Sequence, residues 1–115
     1  MSVEIWHNPR CSKSRETLKL LEDNQVNPKV FLYLEEKPNS KLILDTLKKL
    51  GISARDLLRK SEDAYKDNNL KDKELSEKQL IAAMVQEPKL IERPIVIKGN
   101  QAKLGRPPQQ VLEIL

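Results

Sequence analysis

The chain contains a single cysteine, Cys11, in 115 residues. One cysteine excludes an internal disulfide framework and a cysteine-based zinc site built within one chain. Long apolar stretches are absent too. The longest uninterrupted one, Leu80 to Val85, falls far short of the roughly 20 residues that a spanning helix needs, so no membrane partner is expected. The opening Met1-Ser2-Val3-Glu4-Ile5-Trp6 lacks the basic start and apolar core of a secretory signal, and cytoplasmic residence is the simplest expectation. No repeat, low-complexity tract or Gly/Ser linker marks an internal boundary. A dense cationic block is also missing: 21 Lys+Arg stand against 17 Asp+Glu, for a net charge of +4. Nucleic acid is therefore not an expected partner, and a small anionic substrate fits the mild basic excess.

What remains is a composition of 38% hydrophobic and 33% charged residues, which suits one soluble domain over residues 1–115. Residues 2–6 alternate apolar and polar and read as a strand. The cluster His7-Asn8-Pro9-Arg10 breaks it, and a helix follows from about Ser12 to Asp23, with Leu18 and Leu21 facing inward and Leu20 beside them. Val30 to Leu34 reads as a second strand, apolar enough to be covered on both faces. Residues 38–88 read as helical. Ser40 is the expected cap of a helix ending at Gly51, with a stripe of Leu42, Ile43, Thr46, Leu47 and Leu50. Ser53 caps a short helix running to Arg59. Ser61 to Lys73 is polar, loop and short helix, and Ser76 with Gln79 forms a capping-box signature for a helix ending before Pro88. Ile95-Val96-Ile97 is a buried strand, Gly99-Asn100 a turn, and Ala102 to Leu104 a hairpin partner. Pro107 and Pro108 open a closing helix with apolar positions Val111, Leu112 and Leu115. This order describes an α/β fold of the thioredoxin type with an all-helical insertion, about 38–88, between the second and third strands.

Cys11 falls where the first strand hands over to the first helix. Free N–H groups and the helix dipole favour a thiolate there, and the thiolate is the nucleophilic form. Taken alone, a cysteine is more often a small buried hydrophobe. Its place after a Pro-bearing turn, in a polar and basic segment, points instead to chemistry. His7, Arg10 and Arg15 lie close in sequence, and Ser12 and Ser14 can donate hydrogen bonds. Because Cys11-Ser12-Lys13-Ser14 lacks a second cysteine, a redox cycle must borrow its second thiol from another molecule. One histidine and one cysteine are a poor ligand set, so no metal is expected.

The basic residues divide into 15 lysines and six arginines. Three arginines stand at pointed places: Arg59 at the end of the short helix, Arg93 before Pro94 and a buried strand, and Arg106 before Pro107. Guanidinium groups grip tetrahedral oxyanions bidentately and stay charged at any relevant pH. If the fold is of the thioredoxin type, Arg93-Pro94 is the loop facing the cysteine, and a cis bond at Pro94 is expected.

Four segments together resemble the glutaredoxin-dependent arsenate reductase family: His7-Asn8-Pro9-Arg10-Cys11; Gly51-Ile52-Ser53 with Leu57-Leu58-Arg59-Lys60; Arg93-Pro94-Ile95-Val96; and Gly105-Arg106-Pro107 with Val111 to Leu115. The resemblance covers essentially the whole chain. It implies reduction of arsenate to arsenite, with glutathione as co-substrate, glutaredoxin as partner and no bound cofactor. It implies that Cys11 is the nucleophile forming a thio-arsenate adduct. It further implies that Arg59, Arg93 and Arg106, with Ser14, hold the oxyanion, and that His7 helps lower the Cys11 pKa. Two other functions fit the same fold: a thiol-responsive regulator of the Spx type that contacts RNA polymerase, and a general glutathione-linked thiol oxidoreductase. The missing Cys-x-x-Cys and the Gly105-Arg106-Pro107 segment favour the reductase.

Overall fold

The computed structural model describes residues 2–115; Met1, the start of the N-terminal segment read above, lies outside them. Two compact units are resolved, one formed by residues 2–36 together with Arg93–Leu115, the other by Lys37–Glu92.

The first unit carries a four-stranded mixed sheet in the order β2-β1-β3-β4. Strand β1 (Val3–Trp6) leads through a turn into helix α1 (Ser12–Asp23). Strand β2 (Lys29–Phe31) then pairs parallel to β1, and a four-residue helix, α2 (Tyr33–Glu36), follows it. Strand β3 (Ile95–Lys98) runs antiparallel to β1, with Ile5 opposite Val96, and β4 (Gln101–Leu104) folds back on β3. The alternation expected of strands sends Val3, Ile5 and Val96 to one face, where they meet Leu21 of α1 and Val111 and Ile114 of the closing segment. Trp6 faces the other way and meets Phe31 edge-on at 5.2 Å and Tyr33 at 6.2 Å. Burying each such side chain contributes about 1.5–3 kcal/mol.

Two expectations for this unit need correction. The second strand stops at Phe31 rather than Leu34, and it is an edge, with Val30 39% exposed. The strand ends inside the apolar run because the chain turns helical at Tyr33, with the Glu36 carboxylate accepting the Leu32 N–H at 3.0 Å. The closing helix is a 3₁₀ helix, Pro108–Ile114, with Pro107 just outside it as cap. Three residues per turn bring Pro108, Val111 and Ile114 inward and leave Leu112 and Leu115 exposed. An α-helical period predicts the reverse for Leu112, Leu115 and Ile114.

The second unit holds α3 (Ser40–Leu50), α4 (Ala54–Leu57), α5 (Asp63–Asp67) and α6 (Glu77–Gln86), with a 3₁₀ turn at Pro88–Leu90. The cap of α3 is Asn39, not Ser40: its Oδ1 accepts the Leu42 N–H at 2.8 Å, which makes Ser40 the first helical residue. Gly51 ends the helix at φ 72°, a left-handed conformation that glycine enters without steric cost. Ser53 caps α4 and the Ser76–Gln79 capping box is formed on both sides. Helix α4 ends at Leu57, two residues before Arg59. There the backbone leaves the helix to pair with a later segment: Leu58 bridges Ile91, Arg59 N–H donates to the Leu90 carbonyl at 2.7 Å, and Glu92 N–H donates to that of Leu57 at 2.8 Å. The polar stretch after it is tied down by Arg55, whose guanidinium donates to the carbonyls of Leu70 and Asp72. The whole order is that of a mixed α/β sheet of the thioredoxin type, with a helical segment between the second and third strands.

Candidate active site

The turn between β1 and α1 is built by its own side chains. Cys11 N–H donates to the Asn8 carbonyl at 3.0 Å, closing a turn whose second residue is Pro9. Asn8 Oδ1 accepts the Arg10 N–H at 3.0 Å, and the Arg15 guanidinium donates to the Pro9 carbonyl at 2.8 Å. Ser14, fully buried on α1, reaches back to the same turn. Its Oγ accepts the Asn8 N–H at 3.0 Å and lies 2.6 Å from His7 Nδ1. Oγ keeps a second lone pair and its own proton beside the bond from the amide, so the contact with Nδ1 is satisfied by either neutral tautomer of His7.

This network sets the electrostatics. Burial, then the nearby Arg15 charge, hold the His7 pKa below its ordinary value, so the ring is neutral at pH 7. Cys11 occupies the N-cap position of α1 in an extended conformation. Partial burial pushes its thiol pKa up. Against this act the Ser14 amide, the hydrogen bond and charge of the Arg93 guanidinium, and the Lys13 amide, and the net result is a pKa below the ordinary value. The thiolate form gains from a helix start and one arginine. His7 contributes no positive charge; it anchors Ser14, whose amide is one of the groups on the sulfur.

Arg93 is brought to Cys11 by the β1–β3 pairing, which sets Trp6 opposite Ile95. The Arg93–Pro94 bond is cis, as expected, and the Arg106–Pro107 bond is cis as well. Arg106 Nη1 donates to the Arg93 carbonyl at 3.0 Å. Arg59 belongs to the other unit, where its guanidinium, 16% exposed, pairs with Glu92 at 2.7 Å and Glu62 at 3.5 Å. Among the sequence candidates, the sheet-bearing unit thus gathers His7, Cys11, Ser14, Arg93 and Arg106.

Two contributors escape a reading by residue type. Asn8 looks like turn filler, yet every polar group of its backbone and side chain amide oxygen is used in the Cys11 turn; the Asn-Pro pair is the one local signal for it. Gly105 donates its N–H to the Pro94 carbonyl at 2.9 Å, and a Cβ on it would sit 2.5 Å from Thr17 Oγ1 and 2.7 Å from Pro94 Cγ. Only glycine lets the end of β4 come this close to α1 and the cis-proline. Among the described residues no group of three or more His, Cys, Asp or Glu is placed to hold a metal ion, and no helix is long and apolar enough to cross a membrane.

The family model of the ArsC family matches residues 6–114. This chain belongs to the ArsC family. An arsenate reductase of Haemophilus influenzae is 49% identical to it over 116 residues, covering all of both chains. The uncharacterized protein YfgD of Escherichia coli is 59% identical, over 98% of this chain and 96% of its own. The solved structure of an arsenate reductase from Vibrio cholerae superposes with a TM-score of 0.98 at 52% identity, covering 100% of this chain and 98% of that one. The ArsC match takes in the Cys11 turn, Arg59, the Arg93–Pro94 loop and Arg106.

Proposed function

We propose that this protein reduces arsenate to arsenite through a covalent adduct on Cys11, drawing its electrons from glutathione and glutaredoxin. The observation that carries this reading is the placement of Arg93 on a cysteine at a helix start, in a chain whose relatives are named arsenate reductases. Attack of a thiolate on arsenate brings two anions together, and the barrier falls only where fixed positive donors meet the developing charge. Arg93 supplies such a donor beside the sulfur, and Arg106, bonded to the Arg93 backbone, supplies a second cation in the same unit. The amides of Ser14 and Lys13 hold the sulfur as thiolate before attack.

In this scheme the Cys11 sulfur forms a bond to arsenic and one arsenic oxygen leaves as water. Each turnover takes two electrons from two external thiols, which leave joined as one disulfide, and Cys11 returns to its thiol form. The absence of a second cysteine in the chain is the reason both electrons come from outside. Arg59 is proposed to contribute to turnover as well, and its test is kinetic.

A coupled assay with NADPH, glutathione, glutathione reductase and glutaredoxin decides the matter. NADPH oxidation should depend on arsenate and vanish in Cys11→Ser, whose hydroxyl is far less ionised. Turnover of a glutathione mixed disulfide with no response to arsenate would transfer the protein to the general thiol oxidoreductases. Stoichiometric binding of RNA polymerase without turnover would mark it as a regulator.

A further inference from the structure

A cavity of about 290 Å3 opens beside the Cys11 turn, entirely within the sheet-bearing unit. Residues His7 to Arg10 form one wall; Leu32, Leu34 and Glu35 form the other. The mechanism described above uses none of its far wall. Two charges of opposite sign flank the cavity, Arg10 and Glu35, both exposed. Among the described residues neither is in an ion pair, with the other or with any third group. Opposite charges that line one cavity and leave each other unpaired suit a ligand that carries both signs itself. Leu34, 36% exposed, offers apolar surface between them.

We propose that this cavity binds the external thiol itself, a zwitterionic peptide thiol of the glutathione kind, with a carboxylate on Arg10 and its ammonium on Glu35. The assignment rests on the thiol-dependent reading of Cys11. A peptide thiol held one residue from the nucleophile would be delivered to the adduct rather than met by collision, which is worth more than its intrinsic reactivity. Arg10 here binds a co-substrate and takes no part in holding the oxyanion.

The test is a calorimetric titration of Cys11→Ser protein with S-methylglutathione, which keeps the peptide charges and cannot exchange its sulfur. Binding should be measurable at millimolar ligand. Arg10→Ala and Glu35→Ala should each weaken it about tenfold or more, with Arg10→Lys retaining most of the affinity. Both side chains are exposed, so neither variant threatens folding. In turnover, Arg10→Ala should raise the KM for glutathione and leave the KM for arsenate unchanged. Failure to bind, or equal affinity in the parent and both alanine variants, overturns the assignment. The titration contains no arsenate, so it decides the cavity separately from the reductase reading, which stands or falls on arsenate-dependent NADPH oxidation.

Discussion

The two units of this molecule satisfy their buried polar groups in different ways. In the helical unit Thr46 is buried on α3, and its hydroxyl returns to the Leu42 carbonyl one turn back, a bond that the helix provides by itself. Thr17 on α1 of the sheet-bearing unit does the same with the Lys13 carbonyl. Ser14, one turn earlier, does not. Its hydroxyl leaves the helix to hold the Asn8 amide and the His7 ring, joining residues six and seven positions away. A buried hydroxyl whose partners lie outside its own helix is costly to misplace, since losing either partner strands polar groups in a dry site. The contrast teaches where each unit stores its order. The helical unit is assembled from caps and stripes that repeat wherever helices occur. The sheet-bearing unit spends His7, Asn8 and Ser14, three of its buried polar side chains, on one turn, the turn that presents Cys11.

That comparison can be broken most forcefully at Arg93. Arg93→Ala should lower arsenate turnover by roughly 30- to 1000-fold, corresponding to about 2–4 kcal/mol of transition-state stabilisation. It should also raise the pH midpoint of Cys11 alkylation, because one of the groups holding the pKa below its ordinary value is gone. Lysine at the same position should restore only part of the rate, keeping the charge and losing the planar fork. Arg59→Ala is the matched change in the helical unit. It removes a 2.7 Å pair to Glu92 and leaves that carboxylate half-buried, so a loss of stability is expected beside any loss of rate. Equal kinetics in the Arg93 variant and the parent would refute the site.

A smaller effect is expected at Gly105. A Cβ 2.5 Å from Thr17 Oγ1 and 2.7 Å from Pro94 Cγ must displace the helix or the proline, and overpacking of this kind costs about 1–3 kcal/mol. Chemical denaturation of Gly105→Ala should show that loss together with slower turnover. Ser76→Ala sharpens the contrast from the other side. It removes the capping box of α6 at a cost of about 1 kcal/mol, and turnover measured well below the melting temperature should be unchanged.

The smallest expected effect is a pH slope. His7 is the one histidine in the chain, and burial holds its folded pKa below the unfolded value of roughly 6.5. Below that value the unfolded chain binds the proton more readily, so stability is fully present above pH 6.5 and is lost as pH falls toward the folded pKa. The denaturation midpoint should therefore drop between about pH 7.5 and about pH 5.5. His7→Asn, with no proton to bind, should lessen that drop. An identical drop in both proteins would place its origin elsewhere.

Much of the helical unit is legible residue by residue, because its signals act over one turn. Gly51, Ser53 and the Ser76–Gln79 pair do in the structure what their types announce. Even the misassigned cap of α3 lies one residue from the true one, since Asn39 and Ser40 are both competent caps and only backbone geometry chooses between them. Where α4 ends was not legible. Leu58 and Arg59 leave the helix to pair with Leu90 to Glu92, more than thirty residues later, and nothing near Leu57 announces it.

The candidate site divides along the same line. A cysteine after Asn-Pro-Arg at a strand-to-helix junction follows from local pattern, and so does the helix-start field on its sulfur. Sequence also determined the period of the core strands, because alternation of side chains is a property of any extended backbone. That Arg93, rather than the nearer Arg10 or Arg15, reaches the thiolate was legible only through the expected fold, because the strand pairing that brings it there is tertiary. Tertiary structure alone turned His7 toward Ser14 instead of leaving it a charged neighbour of Cys11. It also chose three residues per turn for Pro108–Ile114, burying Ile114 and exposing Leu112. In each case the deciding partner lies on another strand or helix, and its distance along the chain carries no mark in the residues it will meet.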